Sequence, residues 1–164
     1  MNQTHEQECA CDVCDQVRAG VSLEEARANF VAWENEAVEK HGWYVHYVGA
    51  DDDVPTGYNA HTHGLVEKYG HPDLQIVCPL PPKVAHGTFW NIVNRIAEGE
   101  KFKNGDIVEN IAGNGYKVKF VNAWENDRPV LRVIIPDKDH NLDRDTLTGN
   151  FVLQYKDLDT EYVK

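Results

Sequence analysis

The stretch "WYVHYVGADDDVPTGYNAHTHG", residues 43–64, decides the fold of this chain. "WYVHYVG" carries aromatic and β-branched residues with a period of two, which predicts a strand with Trp43, Val45 and Tyr47 on one face. "ADDDVPTG" is rich in turn-forming residues, and "YNAHTHG" has the pattern of a returning strand. Residues 43–64 are therefore predicted to form a β-hairpin.

The same alternation sets the parity of the strand pairing. If the apolar face with Val45 also holds Thr62, odd-numbered residues must oppose even-numbered ones, as in 45 with 62. The other face then collects polar and aromatic side chains, namely Tyr44, His46, Asn59, His61 and His63. Because side chains that face each other on neighbouring strands have Cβ atoms about 5 Å apart, three imidazoles on this face can converge on one metal.

These three histidines have two interpretations. As ligands, His46, His61 and His63 would bind a divalent transition metal, with zinc the first choice, and would leave one position for a water whose pKa the metal lowers. That arrangement predicts a metal-binding protein or a metal-dependent hydrolase. As ordinary residues, they would line a polar pocket without metal. We expect His61 and His63 to be accessible to solvent in a cleft.

Polar residues near the histidines are candidates for binding a substrate. Tyr44 and Asn59 share the predicted face, while His71 and Asp73 follow in "GHPDLQIV" and would serve as a proton shuttle or orient a ligand. The sequence carries no nucleotide or flavin motif and no nucleophile elbow. The substrate class and the catalytic residues therefore stay undefined at this point.

A second candidate metal site lies in the N-terminal segment, residues 1–19. Cys11 and Cys14 have the C-x2-C spacing by which a tight turn presents two thiolates to zinc. The remaining ligands would come from His5, Cys9 or Cys78. The second ligand pair of the common zinc motifs is missing from the sequence, so a redox-active thiol pair and an unligated, mobile terminus remain alternatives.

Two helices are predicted on either side of the hairpin. "VSLEEARANFVAWENEAVEKHG" reads as an amphipathic helix that begins after an N-cap at Ser22 and ends at Gly42. "PPKVAHGTFWNIVNRIAEG" reads as a second helix, with a proline near its start and a glycine past its end. Its expected buried residues are Val84, Phe89, Ile92, Val93 and Ile96.

The remaining apolar runs predict strands. "LQIVCPL" is more apolar than the hairpin strands and is expected to be central. The further predicted strands are "GDIVENI", "YKVKFVNAW", "VLRVIIPD" and "FVLQY". We therefore expect an α+β fold with a mainly antiparallel sheet and two principal helices packed on it. The sequence shows no linker or repeat after the Cys-containing segment, so residues 20–164 are expected to form a single domain.

The net charge of −11 is unevenly distributed. Residues 1–82 carry 14 acidic and 4 basic residues, whereas residues 83–164 carry 13 and 12. Such a surface repels phosphate backbones, so ordinary nucleic-acid binding is not expected, and a solvated acidic helix that aids solubility is the simplest explanation. The alternative is a non-catalytic binding protein, such as an immunity or anti-defence factor, that engages a basic protein.

With neither a signal peptide nor an apolar span, the expected location is cytoplasmic.

The segments "HGWYVHYV", "GYNAHTHGL", "GHPDLQIV", "LPPKVAHGTFWNIVNRIAEGEKF" and "RVIIPD" together resemble the mostly bacterial family called domain of unknown function 4262. The resemblance covers residues 41 to about 137, and "CDVC" is similar to a C-x2-C near the N-terminus of members. Where many members have an aromatic-Thr-Val-Gly-Leu segment, this chain has "HTHGL", so the two histidines mark one branch. That difference argues against a catalytic role common to the family. The resemblance implies a single domain and no particular activity.

Overall fold

The structure, a computed structural model, describes residues 12–48, 59–78 and 80–156. The strands are β1 (Tyr44–Val48), β2 (Asn59–His63), β3 (Asp73–Ile76), β4 (Ile107–Val108), β5 (Val118–Glu125) and β6 (Arg128–Ile134). The helices are α1 (Asp12–Arg18), α2 (Leu23–His41), α3 (Leu65–Tyr69) and α4 (Pro82–Ala97), and a 3-10 helix covers Gly149–Tyr155. No helix in these described ranges has the length and apolar character needed to cross a membrane.

The six strands form one sheet in the order β1-β2-β3-β6-β5-β4. Every neighbouring pair is antiparallel except β3 and β6, which run parallel. The expected α+β class with a mainly antiparallel sheet is therefore confirmed. β3 lies inside the sheet and is buried along its whole length, as predicted for "LQIVCPL", although the strand itself covers only Asp73–Ile76.

The hairpin of β1 and β2 has the predicted register. Val45 pairs with Thr62, and His46 pairs with His61. Each pair joins an odd-numbered and an even-numbered residue, as predicted, and the histidines therefore share a face. The apolar residues Trp43, Val45 and Ala60 enter the main core, which leaves the histidines on the opposite face. The predicted turn "ADDDVPTG" and Tyr58 lie outside the described residues.

Helix α4 covers the apolar face of the sheet. Phe89, Ile92, Val93 and Ile96 are buried there, as predicted, together with residues of β2, β3, β5 and β6. The prediction was wrong for Val84, which is 51% exposed. The buried stripe of α4 begins at Ala85, and Val84 lies one residue away, about 100° around the helix axis.

The other face of the sheet has its own apolar cluster at the β5–β6 end. Val121, Ala123, Val130 and Ile134 pack there against Leu142 and Leu147, with Phe151, Val152 and Tyr155 at the edge. The last three belong to "FVLQY", which forms a 3-10 helix and not the predicted strand. "GDIVENI" is also less regular than predicted, because pairing is limited to Ile107–Val108.

Helix α2 begins and ends where the sequence indicates. The Ser22 Oγ accepts a hydrogen bond of 3.2 Å from the Glu25 N–H, and this N-cap stabilises the first turn by about 1 kcal/mol. Gly42 adopts a left-handed conformation with φ of 79° and donates its N–H to the Val38 carbonyl. The chain then turns directly into β1, which places α2 beside the histidine face of the hairpin.

Candidate metal centre

His46, His61 and His63 lie together on the polar face of the hairpin. One ring nitrogen from each histidine lies within 4.8 Å of the others. The ring centroids are 5.1 Å apart for His46 and His61, and 5.0 Å apart for His61 and His63. Tetrahedral zinc with bonds of about 2.1 Å needs ligand nitrogens about 3.4 Å apart, and the 4.8 Å limit in this structure is somewhat wider than that.

The three rings differ in burial. His61 is 1% exposed, so the expectation that it is accessible to solvent was wrong, while His46 and His63 are half-buried. The reason is its position, because β2 lies between β1 and β3 and the carboxylate of Glu125 lies against the ring. Within this histidine triad of His46, His61 and His63, solvent therefore reaches only His46 and His63 to a substantial extent.

Burial keeps the three imidazoles neutral. It lowers the pKa of His61 to about 2, with further lowering from His46, His63 and Arg128. Burial, followed by Arg128 and His46, lowers the pKa of His63 to about 4, and burial also lowers the pKa of His46. Neutral imidazole is the form that binds metal ions, so these rings need not lose a proton before binding.

A carboxylate and a guanidinium that the sequence analysis missed complete the surroundings of His61. The Glu125 Oε1 lies 3.7 Å from the His61 Nε2, and the Glu125 Oε2 lies 3.6 Å from the Arg128 Nη2. Arg128 also forms a 2.7 Å ion pair with Asp73 and donates to the Thr62 carbonyl. Glu125 and Arg128 flank the β5–β6 turn "ENDRP", which the sequence indicated only as a separator between strands.

Helix α2 packs over the outer part of the triad. Phe30 contacts His46 with ring centroids 5.4 Å apart, and Tyr44 stacks on His63 at 5.0 Å. Glu34 is hydrogen-bonded to Tyr44, and burial together with this bond raises the pKa of Tyr44. The predicted site residue Tyr44 therefore lies beside a metal-ligand candidate, and it is bonded to Glu34, which the sequence predicted only as one of the outward-facing acids of α2.

Asn59 directly contacts the triad, with its Oδ1 3.2 Å from the His61 Nδ1. Asp73 is buried and accepts hydrogen bonds from the Thr62 hydroxyl and the Leu65 N–H, at 2.9 Å and 3.1 Å. It thereby joins the end of β2 to the start of α3. Burial raises the pKa of Asp73, and the bonds from Leu65 and Thr62 act in the opposite direction.

His71 is placed in a different set of contacts. Its Nε2 accepts a 3.1 Å hydrogen bond from the Phe102 N–H, and its Nδ1 lies 2.8 Å from the Pro72 carbonyl oxygen. Burial lowers the pKa of His71. The Nε2 contact thus joins the loop before β3 to Phe102, while the Nδ1 contact lies within that loop. A role of His71 or Asp73 in binding substrate stays a prediction.

A cavity of about 640 Å³ lies along β1, between α2 and α4. Its lining includes Phe30, Trp33, Tyr44, His46, His86 and Trp90. Trp33 and Trp90 are 44% and 43% exposed, so much of the aromatic surface is open. Pockets of this size and apolar character accept small molecules, and His46 connects this one to the triad.

The two cysteines that the structure describes, Cys14 and Cys78, are not part of the histidine cluster. Cys14 is half-buried on α1, and Cys78 is buried after β3, where burial raises the pKa of its thiol to about 11. Cys11, Cys9 and His5 lie outside the described residues. Zinc binding by the C-x2-C pair of Cys11 and Cys14 therefore stays a prediction.

Comparison with curated proteins and with solved structures finds no match. The pattern that defines the domain of unknown function (DUF4262) matches residues 37–129, which is more than half of the 164 residues. The match contains all three histidines together with Glu125 and Arg128. It confirms the resemblance seen in the sequence, and this chain belongs to the DUF4262 family.

Proposed function

We propose that this protein binds a divalent transition metal, zinc before others, through His46, His61 and His63. The observation that carries the proposal is the convergence of three imidazole nitrogens within 4.8 Å on a hairpin whose register fixes them. Their neutrality and the His61–Asn59 contact add to it, because metal-binding histidines commonly donate their second nitrogen to a nearby acceptor.

Glu125 supports a role for the metal in hydrolysis. Three protein ligands leave a tetrahedral metal one position for water, and such a metal lowers the pKa of its water toward neutrality. The Glu125 carboxylate lies 3.7 Å from the His61 Nε2, so it is the acidic side chain that could act as a base beside a metal held by the triad. It would accept the proton from the water as the resulting hydroxide attacks the substrate. The aromatic cavity next to His46 would hold the apolar part of the substrate.

Elemental analysis of protein purified without a histidine tag tests metal binding. We expect one equivalent of a transition metal per chain, and we expect His61→Ala to weaken zinc affinity at least tenfold because one of three ligands is lost. His41→Ala is the matched control, since His41 is an exposed residue in the last turn of α2. Equal effects of the two substitutions, or no metal in the parent, would reject the proposal.

The hydrolytic role is tested separately with Glu125→Gln. This variant keeps the size and polarity of the side chain but removes the base, so it should retain its zinc while losing at least about 100-fold in hydrolysis rate. Chromogenic carboxylic esters and phosphodiesters with aromatic leaving groups are suitable probes for the aromatic cavity. A zinc-loaded parent without activity above free zinc on either probe class would leave metal binding intact and argue against hydrolysis of these bonds.

A further inference from the structure

A chain of side-chain hydrogen bonds runs beneath the histidine triad. The Arg132 Nε donates to the Gln75 Oε1 at 2.7 Å, and the Gln75 Nε2 donates to the Asn59 Oδ1 at 3.3 Å. The same Asn59 oxygen lies 3.2 Å from the His61 Nδ1. Arg132, Gln75 and His61 are all buried, so water does not compete strongly for these bonds.

The direction of every bond in this chain follows from its first member. An arginine Nε–H can only donate, so the Gln75 atom facing it must be the oxygen. The other end of the Gln75 amide is then the NH2 group, which also only donates, so the Asn59 atom facing it must be its oxygen. That oxygen can only accept, so the His61 Nδ1 must carry a proton.

Arg132 fixes the direction of these hydrogen bonds, because it stays in place and remains a donor. Its Nη1 donates to the Gln154 carbonyl at 2.8 Å, which ties the guanidinium to the 3-10 helix. An arginine stays protonated at any physiological pH. This hydrogen-bond relay, which consists of Arg132, Gln75 and Asn59, therefore starts from a donor whose position and charge are both fixed.

We propose that Asn59, oriented by Gln75 and Arg132, is a positioning residue that keeps the proton of His61 on Nδ1 and reserves Nε2 for the metal. This inference rests on the proposed metal-binding function. The Nε2 lone pair then lies on the side of the Glu125 carboxylate, whose Oε1 is 3.7 Å away, and this negative charge would stabilise a cation bound at Nε2. The opposite tautomer would set the Nδ1 lone pair against the Asn59 oxygen.

The first test uses the metal-free parent protein and needs no substitution. Long-range 1H–15N correlation spectra of 15N-labelled protein distinguish a protonated ring nitrogen from one with a lone pair. We expect the His61 Nδ1 to be protonated and its Nε2 to be unprotonated. A neutral ring protonated on Nε2, or a mixture of the two tautomers, would overturn the proposal.

The second test is the substitution Gln75→Glu, which keeps nearly the same side-chain size and should reverse the direction of the hydrogen bonds that involve Asn59. The introduced carboxylate has no N–H to donate, so the Asn59 amide must turn its NH2 group toward it. That NH2 group then also faces the His61 Nδ1, which must become an acceptor. We expect the His61 proton to move to Nε2 and zinc affinity to fall at least tenfold. An unchanged tautomer in the folded variant would overturn the proposal.

Asn59→Asp is the conservative variant. A carboxylate at position 59 still accepts from both Gln75 and His61, so His61 should keep its proton on Nδ1. The spectra of metal-free protein separate this inference from the proposed function. If the parent binds no metal but has the Nδ1–H tautomer, the result supports the hydrogen-bond relay and rejects the metal site. If the parent binds metal but its metal-free form has the Nε2–H tautomer, the result supports the metal site and rejects the relay.

Discussion

Asp137 is the residue that organises the chain after β6. It is 1% exposed, and its Oδ1 accepts from the backbone N–H groups of Asp139 and Asn141, both at 3.0 Å. Its Oδ2 accepts from the Asn141 side chain and from both the N–H and the hydroxyl of Thr148. One carboxylate therefore fixes the loop that runs from Asp137 to the N-cap of the 3-10 helix.

Replacing Asp137 by asparagine should lower stability at neutral pH, because an amide NH2 group cannot accept the bonds that one carboxylate oxygen accepts. Burial raises the pKa of Asp137, but hydrogen bonds from Asn141 and Thr148 outweigh it, so the pKa is below its ordinary value. The carboxylate thus stabilises the fold above its unfolded pKa of about 3.9, and this contribution is lost as the pH falls toward the folded pKa.

Urea denaturation of parent and Asp137→Asn protein at pH 7 and at about pH 2 measures this effect. The difference between the two midpoints should be large at neutral pH and should shrink at the acidic pH, because Asp137 of the unfolded parent is protonated there and part of the stabilisation is lost. A difference that is the same at both values would show that the charge of Asp137 does not contribute.

The residues of the candidate metal centre fall into two groups. A local sequence pattern identifies some of them, and long-range strand pairing places the others. His46, His61 and His63 were found from the sequence because alternation within one hairpin fixes which face each residue takes. Glu125 and Arg128 were not found, since they reach the triad only through the pairing of β2 with β3 and of β3 with β6. The parallel β3–β6 pair joins segments that are distant in the sequence, and no pattern in either strand specifies its partner.

At the scale of elements, the C-terminal segment shows why "FVLQY" was assigned wrongly. Its apolar residues were consistent with a strand, but Phe151, Val152 and Tyr155 use the spacing of a helical turn to reach the second cluster. The hydrogen bonds to Ile135, the residue after β6, are made by one side chain of this segment. Gln154 accepts from the Ile135 N–H at 2.8 Å and donates to the Ile135 carbonyl at 2.9 Å, as a neighbouring strand would.

Gln154→Glu should therefore destabilise the protein by about 2 kcal/mol, because the new oxygen would face the carbonyls of Ile135 and Phe151 without a proton to donate. Asn150→Asp makes the same amide-to-acid change at an exposed position of the same 3-10 helix, and it should change stability by less than about 0.5 kcal/mol. Midpoints and slopes of urea denaturation give both values. Similar losses for the two variants would assign the effect to charge alone.

The elements that were predicted correctly carry strong local signals. The N-cap Ser22 and the left-handed Gly42 mark the ends of α2, and the proline start and apolar stripe identify α4. For "GDIVENI" the pattern predicted a strand, but the structure pairs only Ile107–Val108 with β5. Local propensity thus identified the hairpin and the two principal helices, α2 and α4, whereas the short helices α1 and α3 were not predicted and strand lengths at the sheet edge depend on tertiary packing.

At the scale of the whole molecule, the acidic first half is the main feature outside the metal centre. Glu36 and Glu39 are exposed on α2, near the exposed apolar residues Val31 and Val38. Glu34 differs from them, because it is half-buried and bonded to Tyr44. A basic partner would therefore meet the outer glutamates, and Glu34 belongs to the packing of α2 on β1.

If that acidic helix engages a basic protein, Glu36→Gln with Glu39→Gln should slow association with a lysine-rich peptide several-fold at low ionic strength. Exposed charges act mainly on the association rate. Salt at about 0.1 M screens charges over about 10 Å, so the difference in association rate between parent and variant should become smaller there. The control carries Glu98→Gln and Asp127→Asn, two exposed acids of the second half, and has the same net charge. Stopped-flow rates that fall equally in both variants would mean that the peptide responds only to total charge, and α2 would then have no role as a docking surface.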